Sequence, residues 1–362
     1  MIICIDCRML LHSGIGVYIK HIVNGLLQNG QPLTLLGNKG IINKCITKSN
    51  NCKVISFNSS IYSISEQLKY PFVIPSCDIF ISPHYNIPLF PVKAKNFIVT
   101  IHDMYHIDYQ HLLSLKQRIY VNILMRAAII LSKNIITVSY FSKQQIIRFT
   151  NKNVEDRVNV IYNGIDQKIF HTKVTIEKKE NYILFVGNVK PHKNLLNSLK
   201  AFKLLLKQFP TVKFYVVGKK DGFINGGVEH LAEIIDELNN KVTFTGWVDD
   251  AELVNYYRNA LLLIFPSFYE GFGLPPLEAM SCGCPVIASN LSSIPEVCGS
   301  AAYYFNPYDY YNIAEALAEV ISNDKLRQTL VEAGYERVQE FSWQKSVEKH
   351  FEIIQSIAQK LS

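Results

Sequence analysis

A chain of 362 residues is too long for one ordinary hydrophobic core and suits two domains of roughly 150–200 residues each. Its 48% hydrophobic and 19% charged residues exclude a disordered or fibrous protein. The net charge of +7 is uneven: residues 1–170 hold 18 Lys/Arg against 8 Asp/Glu, net +10, while 171–362 hold 19 against 22, net −3.

The chain opens on a strand, Ile2–Asp6, with no secretion leader before it, so a cytoplasmic protein is expected. Short apolar runs then alternate with helix-period stretches, the mark of a parallel α/β architecture. In the first half further strands are expected at Leu33–Leu36, Lys53–Phe57, Asp78–Ile81, Phe97–Ile101, Ile135–Val138 and Val158–Ile161. Helices are expected near 16–29, 63–72, 112–132 and 140–150. The polar stretch His171–Asn181 reads as a linker. The second half restarts the rhythm with strands Tyr182–Val186, Lys213–Val217, Val242–Phe244, Leu261–Phe265 and Pro285–Ala288. Its helices are expected near 193–208, 228–239, 249–259, 275–282, 309–322, 325–338 and 343–359. The longest apolar stretch, Ile119 to Val138, is broken by Asn122, Arg126, Ser132, Lys133 and Asn134, and reads as an amphipathic helix and a buried strand rather than a membrane span. Eight cysteines are scattered through strands and loops, which suits free thiols. Two open α/β halves place ligands at the carboxyl ends of their sheets, and in tandem they would face a cleft.

Four segments carry candidate chemistry. Ser13-Gly14-Ile15-Gly16 is a glycine turn opening the first helix, either a simple tight turn or a place where backbone approaches a ligand. His102 and Asp103 stand at the carboxyl end of a strand, either as structural residues or at a reaction centre. Val186-Gly187-Asn188-Val189-Lys190-Pro191-His192-Lys193-Asn194 joins a strand to a helix; a cation there opposes the helix dipole unless an anion binds. The segment from Phe265 to Met280 ends a buried strand, passes through a glycine loop and begins a helix at Pro275-Pro276. Amides of the loop and first turn can hold an anion, with Glu270 before them and Glu278 one turn inside the helix. No Asp-x-Asp stands in a loop to hold a divalent metal, and Asp249-Asp250 reads as a helix cap and its neighbour, so no metal or other cofactor is expected.

The run Glu270-Gly271-Phe272-Gly273-Leu274-Pro275-Pro276-Leu277-Glu278-Ala279-Met280, continued by Gly283-Cys284-Pro285-Val286 and Pro295-Glu296-Val297, is similar to the E-x7-E signature of glycosyltransferase family 4. That resemblance implies two Rossmann-like domains facing a cleft (the GT-B fold). They would be an acceptor-binding domain at 1–170 and a nucleotide-sugar-binding domain at 171–342, with a C-terminal helix at 343–362 packing back on the first. It implies metal-independent, retaining transfer of a sugar from a nucleotide diphosphate. Glu270 would contact the donor sugar, Glu278 the ribose, and the amides of Phe272, Gly273 and Leu274 the diphosphate. Lys193 matches the family's phosphate-binding lysine, while His192 stands where many members carry arginine. A histidine, with its ordinary pKa near 6.5, is fully charged only below neutrality unless the phosphates raise it. Gly16 would admit the diphosphate to the first-domain backbone; His102 would lie near the donor sugar, and Asp103 would orient it or contact sugar hydroxyls.

Ser65-Glu66-Gln67-Leu68 and Ser82-Pro83-His84-Tyr85-Asn86 resemble stretches of bacterial polysaccharide mannosyl- and rhamnosyltransferases, making Glu66 and His84 candidate acceptor contacts. The expected donor is GDP-mannose, with dTDP-rhamnose or a UDP-sugar as alternatives, and the acceptor a glycan or a polyprenyl-linked one. The basic first half suits an anionic membrane surface at the inner face. It carries no helix-turn-helix, zinc or stacking-aromatic motif for nucleic acid. An epimerase, a phosphorylase or a non-catalytic nucleotide-binding module are the rival readings.

Overall fold

The computed structural model describes residues 1–150, 154–171, 179–219 and 229–359. The chain divides into two compact units, one of Met1–Gly164 with Ser342–Ser362, the other Ile165–Phe341. The boundary thus falls six residues before the expected 170/171. The physical reason lies at Gly164, where a Cβ would stand 2.1 Å from the Trp343 nitrogen. The outgoing and returning chains are packed backbone to backbone there, and the first unit closes at that contact. Most of the expected linker, 172–178, lies outside the described residues.

The first unit is built on seven strands: β1 Ile3–Asp6, β2 Leu33–Gly37, β3 Cys52–Ser56, β4 Cys77–Ser82, β5 Ala94–Ile101, β6 Asn134–Thr137 and β7 Val158–Val160. Their order is β3-β2-β1-β4-β5-β6-β7, and every pairing is parallel. The second unit has six: β8 Tyr182–Val186, β9 Lys213–Val217, β10 Val242–Gly246, β11 Leu262–Phe265, β12 Val286–Ser289 and β13 Ala302–Phe305, ordered β10-β9-β8-β11-β12-β13, again all parallel. Both units are Rossmann-like. Central parallel strands are covered on both faces and therefore read as unbroken apolar runs: β8, β11 and β12 are buried at every position. At the edge, β3 is half-exposed and carries Lys53. The strand β13, a short Ala-Tyr-Tyr-Phe run, is absent from the sequence-based expectation, as is the short helix Lys39–Cys45.

The first unit's core joins sheet residues Ile3, Ile5, Leu35 and Ile79 to Ile19, Val23 and Leu26 of the helix Ser13–Gln28. Trp343, Val347, Ile354 and Ile357 of the C-terminal helix Trp343–Gln359 complete it. Close approach of these two helices depends on Gly25, whose added Cβ would meet Val347 Cγ2 at 2.4 Å. In the second unit Leu199 and Phe202 of helix Leu195–Leu205 pack with Phe214, Ile264 and Ile287 of the sheet and with Ile313 and Leu317 of helix Tyr310–Ser322.

Candidate functional site

In a doubly wound sheet the ligand crevice opens where the strand order reverses, at the carboxyl ends of the two central strands. In the second unit those strands are β8 and β11. The loop after β8 leads through a short 3-10 turn, Pro191–Lys193, to Asn194, held left-handed at φ 56°. The buried Asn194 amide donates to Pro266 O at 3.1 Å and Pro307 O at 2.8 Å, tying three loops together. The Phe268 N–H donates to His192 O at 2.8 Å, so the loops after β8 and β11 are joined by backbone too.

On this frame Lys193 Nζ reaches Glu270 Oε1 at 2.6 Å, both side chains largely shielded from solvent. The anion that the helix-start lysine demanded is supplied by the protein itself. Two consecutive serines fix the glutamate loop: Ser292 Oγ accepts the Glu270 N–H at 3.1 Å, and Ser293 Oγ lies 2.9 Å from Glu270 O and 3.0 Å from Phe272 O. Gly273 follows at φ 101°, a conformation strained for any other residue, and its α-carbon faces the Phe265 ring. From there Leu274 opens the helix Leu274–Ser281 with proline in its first turn.

One turn along that helix, Glu278 Oε2 accepts from the Tyr257 hydroxyl at 2.8 Å. Burial raises the Glu278 carboxyl to about 7, with the Tyr257 hydrogen bond pulling it down and Asp250 pushing it up. Asn188 ties the loop after β8 to the one after β9, accepting from the Lys219 N–H at 3.2 Å. Among the described residues no three His, Cys, Asp or Glu side chains are grouped as metal ligands.

In the first unit the order reverses between β1 and β4, and β5 lies beside them. His102, just past β5, donates from Nε2 to Pro83 O at 2.9 Å, since a carbonyl can only accept; its Nδ1 is thereby the unprotonated nitrogen. Burial lowers its pKa and the Pro83 contact and Asp103 raise it, the net shift being downward. The Tyr18 ring stands edge-on to it at 4.9 Å. That tyrosine is fixed by Thr100 Oγ1 at 2.8 Å and His350 Nε2 at 2.6 Å. Asp103 Oδ1 accepts the Tyr105 N–H at 2.9 Å, a cap on the short turn that follows. His84 is buried against Tyr85 with ring centroids 4.1 Å apart, the Tyr62 hydroxyl 3.0 Å from its ring nitrogens. Burial first, then the nearby His102 and His106, hold its pKa well below the ordinary value.

Two of the expected site residues also have interior contacts. Glu66, read as an acceptor contact, is 0% exposed. Its oxygens are taken by Arg8 at 2.6 Å, the Tyr62 N–H at 2.8 Å and Asn86 at 2.9 Å, so it orders the interior. Gly16, read as a ligand-facing glycine, is buried; a Cβ there would stand 2.3 Å from Leu10 O. Gly14 is the exposed glycine with nothing within 4 Å of such a Cβ. Sequence reading missed Tyr257, Arg8, Ser292, Ser293 and the Tyr18–His350 pair; Asn194 stood at the end of a recognised motif, without a role assigned to it.

Residues 166–337 match the family described as Glycosyl transferases group 1, and residues 12–168 match Glycosyltransferase Family 4. The chain is 34% identical over 238 residues to the O-antigen chain mannosyltransferase RfbU of Salmonella typhimurium, covering 66% of this chain and 63% of that protein. It is 32% identical over 225 residues to O-antigen chain mannosyltransferase B of Escherichia coli, covering 59% and 58%. The matched stretch is thus about three fifths of those relatives' own length. Among solved structures, sucrose-phosphate synthase from Thermosynechococcus elongatus superposes with TM-score 0.80 at 19% identity, covering 99% of this chain and all of that one. HepE of Anabaena, in complex with UDP-glucose, superposes with TM-score 0.76 at 16% identity, covering 98% and 100%. At such identities the likeness shows the fold.

Proposed function

The chain belongs to glycosyltransferase family 4, and from that premise we propose that it moves a hexose, mannose in our reading, from a nucleoside diphosphate onto a lipid-linked or polysaccharide acceptor. The observation that carries the reading is the Lys193–Glu270 pair at the switch point of the second unit, with Glu278 one helical turn beyond. A bound diphosphate offers Lys193 a second anion, which frees Glu270 to accept from sugar hydroxyls. Glu278 accepts from the ribose, while His192 and the amides of Phe272, Gly273 and Leu274 face the phosphates.

Lys193 answers the charge that develops on the departing diphosphate, an electrostatic task that a preorganised cation fills without a metal. In a retaining, front-face course the bond from the anomeric carbon to the phosphate oxygen breaks, and the bond to the acceptor oxygen forms on the same face. The phosphate oxygen takes the acceptor's proton. Glu270 and His102 orient and stabilise, and no covalent sugar–enzyme bond forms, unlike the two-carboxylate glycosidase scheme. Mannose is favoured by the two O-antigen mannosyltransferase relatives. UDP-glucose, seen with HepE, is the second reading.

A thermal-shift panel of GDP, UDP and dTDP and their sugars tests the donor, because a ligand that binds only the folded state raises the melting temperature. GDP-mannose is expected to give the largest shift. Glu270→Ala and Lys193→Ala are each expected to lose at least ~100-fold in turnover while remaining folded, the scale for removing one preorganised charge. Wild-type turnover in either variant at saturating donor would sink the assignment. Excess chelator is expected to leave turnover intact; a loss restored by magnesium would overturn the metal-independent course.

A further inference from the structure

The turn that joins β13 to the helix Tyr310–Ser322 is rich in aromatic residues, with Phe305, Tyr308, Tyr310 and Tyr311 close together in sequence. Phe305 is core, but Tyr308 and Tyr311 are 65% and 58% exposed. Neither exposed ring is loose. Tyr308 stacks on Phe268, with centroids 4.8 Å apart and planes 18° from parallel. Tyr311 stacks on Tyr310 at 4.4 Å and 29°.

The backbone beneath the rings is held as firmly. Pro307 O accepts from the amides of Asn194 at 2.8 Å and Asn197 at 3.0 Å. Asn306 Oδ1 accepts the Tyr308 N–H at 3.1 Å, and Asn312 Oδ1 accepts the Asn306 N–H at 2.9 Å. Asp309 Oδ1 accepts the Tyr311 N–H at 2.9 Å. Ordering a turn and two large rings costs conformational entropy, and rings left in water return little of it through burial. That cost is offset where a ligand finds the rings already in place.

The turn belongs to the frame of the site. Asn194, next to Lys193, bonds both Pro266 O and Pro307 O, and the Phe268 N–H donates to His192 O. The Phe268–Tyr308 pair therefore borders the Lys193–Glu270 site within the second unit. Its charged neighbours are of both signs: Asp309 lies in the turn, and Lys200 Nζ lies 5.8 Å from the centre of the Tyr310 ring. A polyanion finds no cationic track there. An uncharged sugar suits the surface better. The C–H face of a pyranose lies flat on an aromatic ring, while its hydroxyls reach polar groups at the ring's edge, here the exposed Asn306 and the tyrosine hydroxyls.

We propose that the Phe268–Tyr308 ledge, with Tyr311 in the same turn, binds an uncharged glycan and holds sugar units of the chain beyond the one that reacts. The inference rests on the reading of a glycan acceptor and narrows it to a chain of several sugars.

The test is saturation-transfer NMR on the full chain, without nucleotide, using mannose and neutral tetrasaccharides of mannose, glucose and N-acetylglucosamine. At least one tetrasaccharide is expected to bind, and to bind more tightly than mannose. Tyr308→Ala is expected to weaken that binding ~10-fold, the scale of one lost ring face, while Tyr308→Phe, which keeps the ring, stays within ~2-fold of the wild type. The exposure of Tyr308 permits both variants to melt with the wild type, and both are expected to keep its thermal shift with GDP or UDP. The nucleotide shift tests the donor reading and the tetrasaccharide tests the ledge, so either can fail alone. The ledge is overturned when no tetrasaccharide binds, or when folded Tyr308→Ala binds one like the wild type. A nucleoside whose binding needs Tyr308, with no tetrasaccharide bound, would overturn it by assigning the rings to a base. A dimer that Tyr308→Ala makes monomeric, again with no glycan binding, would assign them to a second copy.

Discussion

A carboxyl with a pKa near 7 beside a tyrosine is costly to keep ionised, and at Glu278 that cost has a pH signature. Burial raises the folded-state value from 4.5 to about 7. Folding is therefore unpenalised while the group is protonated in both states. Stability falls as pH rises from about 4.5 through about 7, by up to about 3 kcal/mol at roughly 1.4 kcal/mol per unit. Glu278→Gln keeps an oxygen for the Tyr257 hydroxyl and removes the charge. It is expected to melt like the wild type near pH 4.5 and higher than it at pH 8, measured by thermal denaturation without ligand, while binding donor more weakly. Equal melting temperatures at pH 8 would mean that the carboxylate is not strained. The glutamate itself is visible in the sequence because it belongs to a local spacing. Tyr257, 21 residues away, Ser292, 22 residues from Glu270, and Arg8, 58 residues from Glu66, belong to no such spacing. They act by contact across the fold, and nothing in their own neighbourhoods marks them.

At the scale of elements, the glycine turn before the first helix separates two roles that the sequence merged. Gly16 is required because the Leu10 carbonyl lies where a side chain would begin; backbone has no rotamer by which to yield. Gly16→Ala is expected to destabilise the first unit by about 2–3 kcal/mol or more, the scale of overpacking. Gly14→Ala, open to solvent, is expected to leave stability within about 0.5 kcal/mol. Denaturant unfolding checks both, and equal stability of the two variants would contradict the close approach. The same contrast between pattern and contact explains which elements were legible. Central strands such as β8 and β11 stand out as buried apolar runs bounded by glycine or proline. The strand β13 has only four residues, Ala-Tyr-Tyr-Phe, with two of them half-exposed, and gains its identity from pairing with β12 rather than from its composition. The helix Lys39–Cys45 is too short for a helical period to register.

At the scale of the whole molecule, the first unit is finished by the last helix of the chain, and a buried histidine joins the two ends. His350 Nδ1 donates to Ser346 O at 2.6 Å, which leaves Nε2 to accept from the Tyr18 hydroxyl, 332 residues away. Tyr18 in turn faces Thr100 Oγ1 and the ring of His102. Burial lowers the His350 pKa to about 4, the Ser346 contact opposing and His102 adding to the shift, so the network requires a neutral imidazole. The unfolded chain takes up a proton near 6.5, the folded one only near 4. Stability is therefore fully present above about 6.5 and falls as pH drops to about 4, by an amount on the order of 3 kcal/mol. Trp343, stacked on His21 at 4.5 Å at the start of that helix, is one of two tryptophans and reports its detachment in a Trp247→Phe background. Acid unfolding followed by that fluorescence is expected to begin between pH 6.5 and 4, with His350→Gln less stable at neutral pH but less dependent on pH across this window. A difference between wild type and variant that stays constant from pH 7 to 4 would remove His350 as the acid-sensitive link between the ends of the chain.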